Sequence, residues 1–145
     1  MTSLLSKAVA SLSARGFNEN KRVNDLLERR GATHSILTFN DDVFSVRAKE
    51  YRYEDRGSFG LEQVEEAKEY EMLLLSYIDA DESFTVYDPS FLLENGRTYR
   101  QPSQKSESRV WIETDAGNGS DLERYLSGLS KPKTLAVDNA TRETF

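Results

Sequence analysis

At 145 residues, with 25 acidic and 19 basic side chains, the chain carries a formal net charge of −6. It is long enough for one core burying about two thirds of the unfolded surface, and its charge repels nucleic acid at long range, so any nucleic-acid surface has to be local. The absence of cysteine excludes disulfides, thiolate zinc sites and a cysteine nucleophile, and His34, the single histidine, rules out a multi-histidine metal centre within one chain. The longest apolar run, Met72-Leu73-Leu74-Leu75, is far too short to cross a bilayer. The first residues lack a basic stretch followed by an apolar segment of signal-peptide length, and the expectation is a cytoplasmic protein without a membrane role.

In chain order, Ser3 is placed to cap a helix to about Ala14, with Leu4, Leu5, Ala8 and Leu12 on one face and Gly16 as its stop. A second helix begins near Asn18, carries Val23, Leu26 and Leu27, and ends at Gly31 as a left-handed cap. From Thr33 to Tyr53 the residues turn β-branched and aromatic, with Asn40-Asp41-Asp42 as the turn between Ile36-Leu37-Thr38-Phe39 and Val43-Phe44-Ser45-Val46, which predicts a hairpin. A period of two puts Phe44, Val46 and Ala48 on its core face and Ser45, Arg47, Lys49 and Tyr51 on the opposite one.

Glu54 to Ser58 reads as a polar loop, and Leu61 to Ile78 as one long helix that exposes Glu62, Glu65, Glu66, Glu69 and Glu71 before an acidic turn from Asp79 to Glu82. Ser83 to Tyr87 is a strand stopped by Asp88-Pro89, Phe91 to Leu93 adds a short piece, and Glu94-Asn95-Gly96-Arg97 turns into Thr98-Tyr99. Residues 101 to 108 read as polar and mobile, Arg109 to Thr114 as a strand in which Trp111 is a core residue, and Asp121 to Leu129 as a last helix. The expected organisation is a single α/β domain over 1–130, a central mixed β-sheet flanked by helices, followed by a flexible tail over 131–145.

The spacing of Gly16, Leu27 and Gly31, the hairpin whose second strand ends Val46-Arg47-Ala48-Lys49, the helix opening Glu62-Gln63-Val64-Glu65 and the strand Phe84-Thr85-Val86-Tyr87 arrive in a recognisable order. Over roughly residues 16 to 88 this resembles the PD-(D/E)xK nuclease family, its archaeal Holliday-junction-resolvase branch in particular. The resemblance implies a restriction-endonuclease-like core, a DNA partner and a homodimer. In such nucleases an Asp and a Glu hold Mg²⁺, which activates a water, while a Lys orients the attack. Lys49 stands at the Lys position. The helix Glu position falls on Asn20 with Glu19 beside it, the strand Asp position falls near His34, and the motif Glu is Arg47, whose guanidinium repels a cation at close range.

The expectation is therefore a nucleic-acid-binding accessory protein with a nuclease-like fold that has lost catalysis, presenting Arg47, Lys49 and Tyr51 beside Lys21 and Arg22, with no cofactor. One alternative is an active Mg²⁺-dependent endonuclease in which Glu19, Asp41 and Asp42 hold the metal and Lys49 is catalytic. Another is an acidic protein-interaction module that uses the Glu-rich helix and has no nucleic-acid role. Beside these stand plainer readings: Arg47, Lys49 and Tyr51 as an ordinary salt-bridged face, His34 as a structural residue, and the interleaved charges of Lys21, Arg22, Asp25, Glu28, Arg29 and Arg30 as a solvated helix.

Overall fold

A computed structural model of the protein describes residues 3–52, 54–100 and 109–135. The first helix, α1 (Leu4–Ala14), starts where the Ser3 side chain accepts from the Ser6 amide at 3.0 Å, and the chain leaves it through Gly16 in the left-handed region. Asn18 and Glu19 form a two-residue strand, β1 (Asn18–Glu19), before Asn20 caps α2 (Lys21–Arg29), so the second helix begins three residues later than its pattern suggested. The hairpin follows as β2 (Ser35–Phe39) and β3 (Asp42–Lys49), paired from Phe39↔Asp42 to Ser35↔Val46.

The largest departure from expectation lies between Arg56 and Ile78. Arg56–Gly60 is a strand, β4, where a loop was expected, and the helix α3 (Leu61–Glu69) is only nine residues long. It ends because Glu71 enters the left-handed region and the Met72 amide turns back to the Ala67 carbonyl at 2.7 Å. The apolar run then becomes β5 (Leu73–Ile78), parallel to β3 and antiparallel to β6 (Ser83–Tyr87). A central strand covered on both faces has no polar alternation, which makes it indistinguishable by periodicity from a buried helix. The strand that follows α3 is consequently Leu73–Ile78 and not the segment around Val86, and Glu71 and Asp79 are not on the helix.

Asp88 caps α4 (Pro89–Asn95), which replaces the short piece expected near Phe91; β7 (Arg97–Tyr99) and β8 (Trp111–Asp115) follow, then a 3₁₀ turn at Ala116–Asn118, β9 (Ser120–Asp121) and α5 (Leu122–Leu126). The strands form a six-stranded mixed sheet in the order β1-β2-β3-β5-β6-β9 and a three-stranded antiparallel sheet in the order β4-β8-β7. Lys131 to Lys133 are not a free tail: Pro132 is buried, and the Lys133 amide donates to the Asn118 carbonyl at 2.8 Å. Residues 101 to 108 and the remainder of the expected tail from 136 onward lie outside the described residues. Among the described residues no helix is long and apolar enough to cross a membrane.

Each face of the large sheet has its own core. Ala8 and Leu12 of α1 and Leu122 of α5 pack on Phe44, Val46, Leu75, Tyr77 and Val86, while Val64 and Ala67 of α3, Leu92 of α4 and Phe59 and Ile112 of the small sheet pack on Leu74 and Tyr87. Each fully buried Leu here contributes about 1.5–3 kcal/mol of transfer free energy. The small sheet approaches so closely that a Cβ at Gly57 would overlap the Tyr87 phenol, and one at Gly119 would lie 2.7 Å from Cε2 of the same ring. Two glycines thus clear the space for the Tyr87 phenol and clamp it in place, with Phe59 edge-on at 5.6 Å.

Gly57→Ala is expected to cost about 2–4 kcal/mol through overpacking, read as a lower urea midpoint with unchanged far-ultraviolet dichroism in water; a loss below about 0.5 kcal/mol would refute the clamp. The same packing sets an alkaline limit. Burial pushes the Tyr87 hydroxyl up to about 12, and burial together with the hydrogen bond to Asp42 does the same to Tyr125. Both values are raised above the unfolded phenol near 10, so this stability is complete below pH 10 and disappears as pH rises toward about 12. Unfolding midpoints should fall across that interval, and Tyr87→Phe should shrink the fall; an unchanged pH profile in the variant would contradict the assignment.

Candidate nucleic-acid interface

The open end of the β2–β3 hairpin is where the chain concentrates chemistry. Extending the Ser35↔Val46 register by one residue sets His34 opposite Arg47 at the open end of the hairpin. On β3 the side chains of Ser45, Arg47 and Lys49 share the face under α3 and the small sheet. Ser45 accepts a buried hydrogen bond from the Gln63 amide nitrogen at 2.9 Å, which fixes the start of α3 over the strand. His34 Nε2 lies 3.1 Å from Glu66 Oε1, one turn further along α3.

Arg47 is the centre of this region. Its guanidinium carbon sits 4.4 Å from the Trp111 ring centroid, and it donates to the Ser58 carbonyl. Arg109 approaches the same indole at 5.7 Å, and the Ser58 hydroxyl meets the Tyr99 hydroxyl at 2.9 Å. Burial, augmented by the neighbouring Arg109, lowers Arg47 to about 10 although Tyr99 opposes the shift, so the group stays protonated at neutral pH. Lys49 is also lowered, first by burial and then by Arg47, with Glu113 opposing. Glu113 itself is held by Arg56 and, at 3.5 Å, by Arg97.

Strand pairing explains why these side chains meet. The registers Ser58↔Glu113, Gly60↔Trp111 and Tyr99↔Trp111 put Arg56, Ser58, Trp111, Glu113, Arg97 and Tyr99 on one face of the small sheet, with Phe59 and Ile112 on the other facing the core. Between that face and the hairpin is a cleft of about 80 Å³ lined by His34, Arg47, Gln63, Arg109, Trp111 and Glu62, among others. The Trp111 indole nitrogen is buried and has no acceptor among the described residues. On the other side of His34 a wider groove of about 680 Å³ runs between α1 and α2, lined by Glu19, Asp25 and Glu28.

The remaining residues singled out from the sequence do not converge here. β1 runs along β2 from Thr38 to Leu37, from the turn toward the open end of the hairpin, and Lys21 and Arg22 are exposed on the first turn of α2 and do not line the cleft beside Arg47. Tyr51 lies past the end of β3 and is 66% exposed. Glu19 accepts from the Asn24 side chain in the wide groove, Asp42 accepts from the Tyr125 hydroxyl at 2.8 Å, and Asp41 is exposed in the turn. Seven strand steps, about 23 Å at about 3.3 Å each, separate Asp42 from Lys49, so Asp41 and Asp42 cannot join it in one metal site. No group of three or more His, Asp and Glu side chains is placed to hold a metal ion among the described residues.

Sequence reasoning placed Trp111 in the core but did not connect it to Arg47, and it passed over Ser58, Gln63, Arg109 and Glu113. The alternation through β8 carried a partial signal for Trp111 and Glu113 on one face, whereas the pairing of β4 with β8, fifty residues apart in the chain, carried none. Comparison with family models, with curated proteins and with solved structures found no match to this chain.

Proposed function

We propose that the cleft beside Arg47 binds a backbone phosphate of a nucleic acid, and that the protein is a nucleic-acid-binding accessory protein of nuclease-like fold that does not cleave. The observation that carries this reading is the state of Arg47: a cation mostly withdrawn from water whose hydrogen-bond and stacking partners among the described residues are a carbonyl and an indole, with no carboxylate among them. A buried charge is costly without a counterion, and a phosphate oxygen supplies one in the geometry a guanidinium prefers. Lys49 and Arg109 add cationic charge beside it, while Arg56 and Arg97 on the same sheet face are paired with Glu113.

The order hairpin, helix, strand supports the nuclease-like core, and the residues at its motif positions support the loss of reaction. His34 and Arg47 stand where the metal-holding acids belong, and a guanidinium has no lone pair to give Mg²⁺. A cysteine-free acidic chain of this kind suits the reducing cytoplasm.

Duplex, single-stranded and four-way-junction DNA, titrated with and without Mg²⁺ across a salt series, should bind without being cut. Trp111, the only tryptophan, should change its fluorescence on binding, since it lies against Arg47. Arg47→Met with Lys49→Met should weaken binding at least about tenfold and reduce the slope of log affinity against log salt by about 1–2. Metal-dependent cleavage abolished by Lys49→Ala would establish the enzyme instead, and unchanged affinity in the double variant would remove the cleft from the interface.

Arg47→Met alone should melt within about 1 kcal/mol of the parent or above it, because a desolvated cation is exchanged for an apolar side chain of similar length. Calorimetry decides this, and a loss beyond about 2 kcal/mol would mean that the guanidinium serves the fold rather than a ligand.

A further inference from the structure

The cleft beside Arg47 opens onto the start of α3, and that start has no side-chain cap. Its N-cap is Gly60, and among the described residues no side chain accepts from the first amides of the helix. The Leu61 amide is turned away to the Val110 carbonyl at 2.9 Å. Gly60, Glu62 and Gln63 line the cleft, so the first turn of α3, with its uncapped amides and the positive end of its dipole, forms part of the wall.

A second donor belongs to the same wall. Trp111 lines the cleft, is only 9% exposed, and its buried indole N–H has no acceptor among the described residues. A buried donor left without an acceptor is costly, and a ligand oxygen would remove that cost. With Arg47, N–H donors from β3, α3 and β8 therefore surround one space of about 80 Å³. Such a set suits an anion with several acceptor oxygens.

The space is closed to a polyanion in one direction. Toward α3 its wall carries Glu62, and Glu66, 3.1 Å from His34, follows one turn on. On the other side Arg109 stands against the Trp111 indole, and Lys49 lies beyond Arg47 on β3. A phosphate inside a strand carries a nucleotide on each side and needs two exits, one of which would run past these carboxylates. A phosphate at the end of a strand needs only one. The terminal monoester also offers three acceptor oxygens and close to two negative charges, where an internal diester carries one.

Resting on the phosphate reading of this cleft, we infer that the backbone phosphate it takes is the terminal one, so that the protein recognises the phosphorylated end of a nucleic-acid strand. Arg47, the first turn of α3 and the Trp111 N–H hold the monoester, and the rest of the strand leaves on the side away from α3.

Short single strands that carry a 5′-phosphate, a 3′-phosphate or hydroxyls at both ends, each with the same internal dye, are titrated with the full chain by anisotropy at one salt concentration. One phosphorylated end should bind at least about tenfold more tightly than the hydroxyl-ended strand, and inorganic phosphate should erase the difference. The preferred end identifies the polarity of the bound strand. Trp111→Phe, which keeps a ring against Arg47 but removes the N–H, should shrink the ratio of phosphorylated to hydroxyl-ended affinity at least about threefold, with circular dichroism confirming the fold. Equal affinity for all three strands, weakened in common by Arg47→Met with Lys49→Met, would overturn the terminal assignment and leave the phosphate reading standing. Failure to bind any of them would remove both, and a ratio untouched by Trp111→Phe would place the phosphorylated end outside this cleft.

Discussion

The double burial of β3 is the constraint on which the rest of the structure depends. Paired on one edge with β2 and on the other with β5, the strand is covered on one face by α1 and on the other by α3 and the small sheet. Phe44 and Val46 satisfy the first cover with plain apolar packing. The second runs from Val43 through Ser45 to Arg47 and Lys49, growing more polar and then cationic along its length, and the covering elements change in step. Met72 and Leu74 meet the apolar end, Gln63 clasps Ser45 in the middle, and an indole with a carbonyl receives the guanidinium at the open end. A strand with a cation on a covered face is tolerable only because those partners were built around it.

That arrangement explains what could be read from the sequence and what could not. α1 with its cap at Ser3 and the hairpin rest on local chemistry, with a side-chain oxygen accepting an amide one turn ahead and a turn at Asn40 closing two alternating strands. These signals survive in any tertiary setting. Met72 to Leu75 carried the opposite kind of information: its lack of alternation is the signature of burial on both sides and says nothing of whether the backbone is helical or extended. Only the left-handed turn at Glu71, a residue with no special preference for it, decides the matter. The site was legible to the same degree. Arg47, Lys49 and His34 follow from the hairpin register, but the partners that give Arg47 its character arrive through β4 and β8, joined by pairing that no local pattern announces.

The acidic charge of the chain is unevenly placed, and this matters more than its total. Glu62, Glu66 and Glu69 form one row on α3, Glu19, Asp25 and Glu28 gather on the α1–α2 groove, and the small sheet's outer face sets Arg56 and Arg97, paired with Glu113, beside Arg47 and Lys49. On the proposed reading a polyanion is repelled by the acidic rows and admitted beside Arg47 and Lys49, which would confer orientation as well as affinity.

The same placement constrains the path of a bound strand. The cleft beside Arg47 is bounded by Glu62 on its α3 side and by Arg109 and Trp111 on its small-sheet side. At a volume near 80 Å³ it admits a phosphate but not a stacked base, and Trp111, already faced by Arg47 and 9% exposed, offers no open ring to one. Continuing along α3 would carry each further phosphate past Glu66 and Glu69, whereas continuing across the small sheet carries it past Lys49, Arg56 and Arg97. On the proposed reading the strand therefore leaves the cleft over β4 and β7, and the acidic row of α3 stays clear of it. On that reading α3 is the boundary of the interface, its buried edge clasped to Ser45 and its exposed edge charged against the polyanion.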